Sequence, residues 1–326
     1  MRRPPEIDLG FLPTPLHPLP RLSALLEGPE IWIKRDDQTG LATGGNKTRK
    51  LRLLLADARA RGADVLITGG AAQSNHARQT AAAAAQLGWE CHLVLRGTPP
   101  ERPTGNVLLD LLFGAQLHWV SDKPAMNATM KRLAEQLQAN GRRPYLIPYG
   151  GSNALGAAAY ALAMEELLSQ AGDISFDAIV VASSSGGTQA GLVAGAQLFG
   201  FHGEIVGISV DEPRDALASR VVKLAQAAVE VLEGSTTIRP ADVVVEDRFV
   251  GQGYGVVDTL EREAMRTLAR QEGVLLDPVY TGRAFGGMLE LIRAGRWRQG
   301  QRVLFWHTGG IPALWAYTSD LTEALQ

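Results

Sequence analysis

The chain has a single cysteine, Cys91, and no run of 18 consecutive apolar residues. One cysteine excludes an intrachain disulfide framework and is typical of a protein from a reducing compartment. The missing apolar run argues against a membrane-spanning helix, and residues 1–6 lack the apolar core of a secretory signal. The sequence therefore predicts a cytoplasmic protein without membrane association, in which Cys91 is a buried core thiol.

The chain also lacks a strong net charge and any cluster of metal ligands. It carries 32 Lys and Arg residues against 34 Asp and Glu residues, a formal charge of -2. No polybasic surface for nucleic acid is therefore expected. The 6 histidines are scattered, with neither His-x-x-x-His nor Cys-paired spacing, so we expect no metal site.

Short β-branched segments alternate with Ala- and Leu-rich segments, which is the pattern of parallel βαβ units. At 326 residues, two lobes are the default expectation. Four units between residues 64 and 170 suffice for a small lobe, and the other lobe draws strands from both chain ends. We predict an α/β fold with a large domain, 1–48 and 162–326, and a small domain, 49–161. The glycine-rich turns at the strand ends should converge on one cleft.

The run GGNKTRK at residues 44–50 places Lys47 behind two glycines and an asparagine. Glycines let a backbone approach a ligand closely, and a lysine held away from bulk water can serve as a Schiff-base amine. The same run fits a solvated helix start, because Gly-Asn before a basic turn is ordinary capping chemistry. Lys47 is nevertheless the first candidate for a catalytic residue.

A second glycine-rich run, SSSGGTQAG at residues 183–191, follows an apolar strand and opens a helix. Backbone N–H groups and hydroxyls there point toward one small volume, which favours an anion such as phosphate. The run has neither the lysine of a Walker loop nor G-x-G-x-x-G spacing, so ATP and NAD are disfavoured. A tight turn without a ligand is the alternative.

Further polar groups are predicted at other strand ends. QSNH at residues 73–76 offers a hydroxyl, an amide and an imidazole together. A Ser or Asn alone there would be an N-cap, and His76 without a carboxylate partner fits a structural role better than a general base. Three later glycine-framed turns add Tyr254, Tyr280 and Thr308. We call the run at residues 183–191 the anion loop. Together with Lys47 and the anion loop, these turns make a coherent pocket.

Nearly the whole chain resembles the pyridoxal-phosphate (PLP) family that contains D-cysteine desulfhydrase and 1-aminocyclopropane-1-carboxylate (ACC) deaminase. The resemblance implies fold type II, with two open, twisted, mostly parallel sheets flanked by helices and the cofactor in the cleft between the lobes. It also implies a homodimer. The matching segments are PTPL at 13–16, IKRDD at 33–37, residues 44–50, QSNHARQT at 73–80, GGSNALG at 150–156, and the stretch onward to Ala313.

The resemblance implies roles for individual residues. Lys47 would bind the cofactor as a Schiff base, Asn75 would contact its phenolic oxygen, and the 185–188 loop would hold its phosphate. The implied cofactor-binding residues are Lys47, Asn75, Ser185, Gly186, Gly187, Thr188, Thr281 and Thr308. The implied substrate-binding residues are Ser74, Asn75, His76, Tyr254 and Tyr280, and the implied catalytic residues are Lys47, Ser74 and Tyr280.

Two threonines distinguish branches of that family. Its ACC deaminases carry Glu where this chain has Thr281, and Leu where it has Thr308. A carboxylate near the pyridine nitrogen of PLP makes the cofactor a stronger electron acceptor than a hydroxyl does. β-Elimination needs a weaker electron acceptor than ring opening does. The resemblance therefore favours a carbon–sulfur lyase that converts the small amino acid D-cysteine to pyruvate, hydrogen sulfide and ammonia. The alternatives are ACC or cysteate as substrate and, more distantly, a non-catalytic α/β ligand-binding protein.

Overall fold

The computed structural model describes residues 1–322, in which ten strands form two separate sheets. The strands, in chain order, are β1 (Leu16–Pro18), β2 (Glu30–Arg35), β3 (Val65–Ala71), β4 (Glu90–Arg96), β5 (Gln116–Val120), β6 (Pro144–Leu146), β7 (Ala178–Ser183), β8 (Glu204–Ser209), β9 (Val244–Glu246) and β10 (Arg302–His307).

The six-stranded sheet has the order β1-β2-β10-β7-β8-β9, and the four-stranded sheet has the order β5-β4-β3-β6. Every neighbouring pair is parallel except β1 with β2. The larger sheet joins both chain ends, because β2 pairs with β10, whereas the smaller one uses only residues 65–146. Two mostly parallel sheets are thereby confirmed, while the domain boundaries after residues 48 and 161 stay predictions.

Helices cover the sheets and bury their apolar residues in four clusters. One large cluster lies on each face of the six-stranded sheet, so its central strands are apolar on both sides, as expected of parallel strands. The helices of residues 1–322 are α1 (Pro20–Leu26), α2 (Lys47–Ala60), α3 (Asn75–Leu87), α4 (Gly105–Leu112), α5 (Lys123–Ala139), α6 (Ala154–Ala171), α7 (Gly187–Phe199), α8 (Arg214–Val231), α9 (Thr259–Glu272), α10 (Thr281–Arg293) and α11 (Thr318–Thr322).

The helices that matter for function begin at the carboxyl ends of strands. Helix α3 follows β3, and α7 follows β7 directly, so their N-termini project from the two sheets. Open parallel sheets bind ligands at this edge. In residues 1–322, no helix is long and apolar enough to cross a membrane. The same residues contain no group of three or more His, Cys, Asp or Glu side chains placed to hold a metal ion.

Candidate active site

A cleft at these strand ends brings together most of the site residues predicted from the sequence. Gly187, Tyr254 and Thr281 lie outside the set that lines it. The predicted residues that line the cleft are Lys47, Ser74, Asn75, His76, Ser185, Gly186, Thr188, Tyr280 and Thr308.

Lys47 is the first residue of α2 and points its amine into this cleft. Gly44 before it has a φ of +78°, and a Cβ at that position would lie 1.8 Å from the Asp37 carbonyl oxygen, so only glycine fits there. Lys47 Nζ donates to Asn46 Oδ1 at 2.9 Å, and Asn46 Nδ2 donates to Thr188 Oγ1 at 2.9 Å. Asn46 makes no side-chain capping bond, so it links the lysine to the anion loop instead of capping the helix.

The Lys47 amine has a perturbed proton affinity. Its pKa is lowered to about 8, chiefly by burial and also by the nearby Arg78 guanidinium, while the Asp277 carboxylate opposes the change. At pH 7, about a tenth of this amine is therefore uncharged, and about half of it at pH 8. A neutral amine is the nucleophilic form, and it can attack a carbonyl group.

The anion loop ends at the N-terminus of α7, where the backbone N–H groups and the helix dipole favour negative charge. Gly186 has a φ of +83° at the cap position. A Cβ on Gly187 would lie 2.5 Å from Ser152 Oγ and 2.9 Å from Lys50 Nζ. The oxygens of Ser152 and Ser185 are 2.8 Å apart. The loop is thus a cradle of N–H groups and hydroxyls that a side chain on Gly187 would fill.

Lys50 is a functional candidate that sequence reasoning missed. It is only 1% exposed, and its Nζ donates to Gly150 O and Ser152 Oγ, both at 3.2 Å. Burial, with a contribution from the Lys47 charge, holds its pKa well below the usual range. Its spacing was an available signal, because residues three apart share a helix face and Lys50 follows Lys47 on α2. A phosphate in the cradle would supply Lys50 with an anionic partner.

Asn75 is held in one orientation by its neighbours. Its Oδ1 accepts from Asn106 Nδ2 at 3.0 Å and from Arg78 Nη1 at 3.3 Å. Its Nδ2 therefore remains as a donor at the cleft. Ser74 Oγ accepts from Ala77 N at 3.2 Å as the N-cap of α3, which leaves its own hydroxyl hydrogen available. Asn75 can thus donate to an oxyanion, as its implied contact with a phenolic oxygen requires.

His76 is held as a neutral imidazole. Thr68 Oγ1 donates to the Ile147 carbonyl oxygen at 2.9 Å, so it accepts from His76 Nε2–H, also at 2.9 Å. Burial and the charges of Lys47 and Lys50 keep the His76 pKa well below its usual value. These contacts agree with the structural role considered from the sequence, and its implied role in substrate binding stays a prediction.

Tyr280 lines the end of the cleft nearest α10, and Tyr254 lies against it. The hydroxyl oxygens of Tyr254 and Tyr280 are 2.6 Å apart, and the ring centroids lie 5.8 Å apart at 74°. Burial raises the pKa of both phenols well above their usual value. Both tyrosines therefore stay protonated at neutral pH, and Tyr254 orients the Tyr280 hydroxyl from behind.

Asp277, which sequence reasoning did not single out, organises the turn before α10. Its Oδ2 accepts from the backbone N–H groups of Val279 and Tyr280, both at 3.0 Å. Its Oδ1 accepts from Thr281 N and Thr281 Oγ1, both at 2.7 Å, and Thr281 Oγ1 accepts from Asp277 N at 2.7 Å. The Thr281 hydroxyl is therefore committed to Asp277 and does not line the cleft. Thr308, by contrast, lines it.

The cleft fits one chemical kind of cofactor. A reactive amine stands beside a cradle for a dianion, and an amide donor lies at the same cleft. A carbonyl compound with a phosphate group would use all three. The fold and the site thus define a cofactor-dependent α/β enzyme whose resident group is bound through a lysine.

The chain belongs to the pyridoxal-phosphate dependent enzyme family, whose model matches residues 7–309. The resident cofactor is accordingly PLP. The residues that would hold it are Lys47 at its carbonyl carbon, Asn75 at its phenolic oxygen, and Lys50 with the 185–188 loop at its phosphate. The expectation of family, cofactor and fold type is confirmed.

Solved structures extend this similarity. The chain is 39% identical to an ACC deaminase homologue, with a TM-score of 0.91 over 98% of this chain and 96% of that chain. It also resembles a fungal L-serine ammonia-lyase from Rhizomucor miehei, with 19% identity and a TM-score of 0.71 over 97% and 98% of the two chains. A hydrogen sulfide-producing enzyme from Fusobacterium nucleatum is 17% identical, with a TM-score of 0.65 over 91% of this chain and 94% of that chain. The last two likenesses show the fold alone.

Proposed function

We propose that this enzyme is a carbon–sulfur lyase that eliminates hydrogen sulfide from D-cysteine and leaves pyruvate and ammonia. One observation carries the proposal: no carboxylate is among the residues that line the cleft in the described part of the chain. Thr308 lines the cleft, and the Asp277 carboxylate is occupied by backbone N–H groups and Thr281. Without a carboxylate to stabilise a protonated pyridine, the cofactor would be a weaker electron acceptor. A weaker acceptor suffices for β-elimination.

The cofactor, when bound, would supply the electron sink for the pair left when the Cα proton departs. Lys47 removes that proton, because its amine lies in the cleft and its pKa of about 8 gives it a much larger neutral fraction than an ordinary lysine has. The Cβ–S bond breaks, sulfur leaves with the electron pair and takes a proton, and water hydrolyses the released enamine to pyruvate and ammonia. Positioned proton transfer of this kind contributes about 10² to 10⁴ in rate.

The cleft also provides groups that can bind the amino acid. The hydroxyl of Ser74 keeps its hydrogen for a ligand, because its oxygen is the capping acceptor. Tyr280 presents a protonated phenol that Tyr254 orients. We assign Ser74 to the substrate carboxylate and Tyr280 to the leaving sulfur, to which its phenol would pass a proton.

ACC deaminase activity is the second candidate, favoured by the 39% identity to an ACC deaminase homologue. Both candidates use the same cofactor and lysine. They differ in the bond that breaks, which is Cβ–S in elimination from cysteine and a ring C–C bond in the opening of ACC. They therefore differ in their products. The released sulfide identifies elimination, and 2-oxobutyrate identifies ring opening of the cyclopropane amino acid.

The test is turnover by the purified, PLP-loaded protein with D-cysteine, L-cysteine, cysteate and ACC, assayed for sulfide, pyruvate and 2-oxobutyrate. We expect sulfide and pyruvate from D-cysteine. Lys47→Ala should abolish turnover, and Lys131→Ala, a change of an exposed lysine on α5, is the matched control that should not. Near-normal activity in Lys47→Ala would refute the assignment, and turnover of ACC alone would replace it with the second candidate.

A further inference from the structure

Tyr149 lines the cleft from the side of the four-stranded sheet, across from Tyr280. It begins the short turn Tyr149–Gly151 that follows β6, and it lines the same cleft as Lys47 and Tyr280. Nothing in the roles assigned above uses it. Its side chain is half-buried and packs against the apolar cluster under β3 and β4. Packing on one side and the cleft on the other give this ring a defined position.

Two cations lie against the Tyr149 ring. Arg96 Cζ is 5.8 Å and Lys123 Nζ is 5.9 Å from the ring centroid, within the range of cation–π attraction. Arg96 ends β4 and Lys123 begins α5, so both cations stand at the carboxyl edge of the small sheet, as the cleft does. Neither is among the cleft-lining residues in the part of the chain that the structure describes. Arg96 Nε is buried and has no hydrogen-bond partner among residues 1–322.

The hydroxyl end of Tyr149 faces the other sheet. Burial and the Asp211 carboxylate raise the pKa of this phenol, whereas Arg96 and the hydroxyls of Ser184 and Tyr280 act in the opposite direction. Asp211 Oδ2 accepts from Ser184 Oγ at 2.8 Å, so a carboxylate lies just behind the large-sheet wall of the cleft. Tyr149 therefore stands between two cations on one side and hydroxyls backed by a carboxylate on the other.

We propose that Tyr149 determines substrate specificity by separating Arg96 and Lys123 from the substituent on the substrate Cβ, which restricts the enzyme to amino acids whose β-substituent is uncharged. This inference rests on the proposed β-elimination. A thiol needs no cation, and the hydroxyls at the cleft suit it. A sulfonate or carboxylate beside Tyr149 would have to leave water near Asp211 without reaching Arg96 or Lys123, and that is costly.

The decisive change is Tyr149→Ala, which removes the ring and opens the cleft to both cations. One cation within about 7 Å, at the screening typical of a protein surface, changes anion affinity by about tenfold or more. We expect the ratio of kcat/KM for cysteate to that for cysteine of the same configuration to rise by about this factor. Calorimetric titration of the loaded protein with D-aspartate and D-asparagine, which differ chiefly in charge, should show the same shift in the ratio of dissociation constants.

Three further variants isolate the ring from other effects. Tyr149→Phe keeps the ring and should leave both ratios unchanged. Tyr145→Ala is the matched control, because Tyr145 also has a cation at its ring, Arg61 at 5.8 Å, but does not line the cleft. Arg96→Gln and Lys123→Gln, added together to Tyr149→Ala, should remove most of the gain. Tyr149→Leu preserves apolar packing and replaces the alanine variant if that one does not fold.

Unchanged ratios in both Tyr149→Ala and Tyr149→Leu would overturn the inference, as would a wild-type enzyme that prefers cysteate to cysteine. A shift of equal size in Tyr149→Phe would also overturn it, since the ring would then not be the cause. Failure of the proposed function has a different signature, which is a wild-type enzyme that releases neither sulfide from cysteine nor sulfite from cysteate. The aspartate and asparagine titrations still decide the inference in that case, because they read binding without elimination.

Discussion

The low pKa of Lys47 makes a prediction that can be tested on the cofactor-free protein. The structure places this pKa at about 8 instead of 10.5, chiefly because burial penalises the charged amine. A lowered pKa favours the neutral form, so the reactivity of the amine should rise as pH increases through about 8. The perturbation is therefore the pH itself, with no substitution needed.

The size of the effect follows from the two values. At pH 8, a lysine with a pKa of about 8 is about half neutral, whereas one at 10.5 is only about 0.3% neutral. Lys47 should therefore carry roughly 150 times more nucleophilic amine at pH 8 than an ordinary lysine does. The neutral amine is the form that attacks a carbonyl, so the rate of PLP uptake should follow the same curve.

The assay is brief acetylation of the cofactor-free protein from pH 6 to pH 11, with the modified fraction of each lysine read by mass spectrometry. Exposed Lys131 reports reagent activity at each pH. Circular dichroism at each pH verifies that the protein remains folded. A midpoint for Lys47 near 10.5 would show that its amine is solvated. The conclusion that burial lowers the pKa of Lys47 would then be wrong.

Three other predictions follow from the same structure. Lys50→Gln should weaken PLP binding about 10- to 100-fold, because one charge-assisted bond to the phosphate is lost. The same change should not lower the unfolding temperature of the cofactor-free protein, because burial already penalises the Lys50 charge there. Equilibrium dialysis and calorimetry measure the two effects, and an unchanged affinity would contradict the cradle. Thr281→Glu with Thr308→Leu should shift turnover from sulfide release toward ACC ring opening; a double variant with neither a gain in 2-oxobutyrate nor a loss of sulfide would remove these positions as the branch determinants. Sedimentation equilibrium should show a homodimer, and a monomer at micromolar concentration would contradict that expectation.

Part of the fold was predictable because its signals are local. Alternating apolar segments and glycine-rich turns predicted parallel strands with helices between them, and the structure has those elements within a few residues of the expected bounds. The turn that begins at Asp277 was predicted less well. It was expected beside an apolar strand, but residues 274–276 form no strand, and the turn is organised by the Asp277 carboxylate.

The residues missed by sequence reasoning share one property, which is that their importance depends on distant partners. Lys50 matters because it meets Gly187 and Ser152, more than 100 positions later in the chain. Tyr149 matters because Arg96 and Lys123 lie against its ring. Such proximity arises only when the chain folds. The three-residue spacing of Lys47 and Lys50 indicates a shared helix face but does not indicate these partners.

The sequence by itself determined the family and the cofactor, and it predicted the reactive lysine. Each of these depends on short runs whose chemistry is local, such as a positive φ at Gly44 or free N–H groups at the start of α7. The tertiary structure alone decided the charges around that lysine, the direction of the Asn75 amide and the commitment of the Thr281 hydroxyl to Asp277. These properties are set by burial and by groups that packing brings within a few ångströms, which is a consequence of the whole fold.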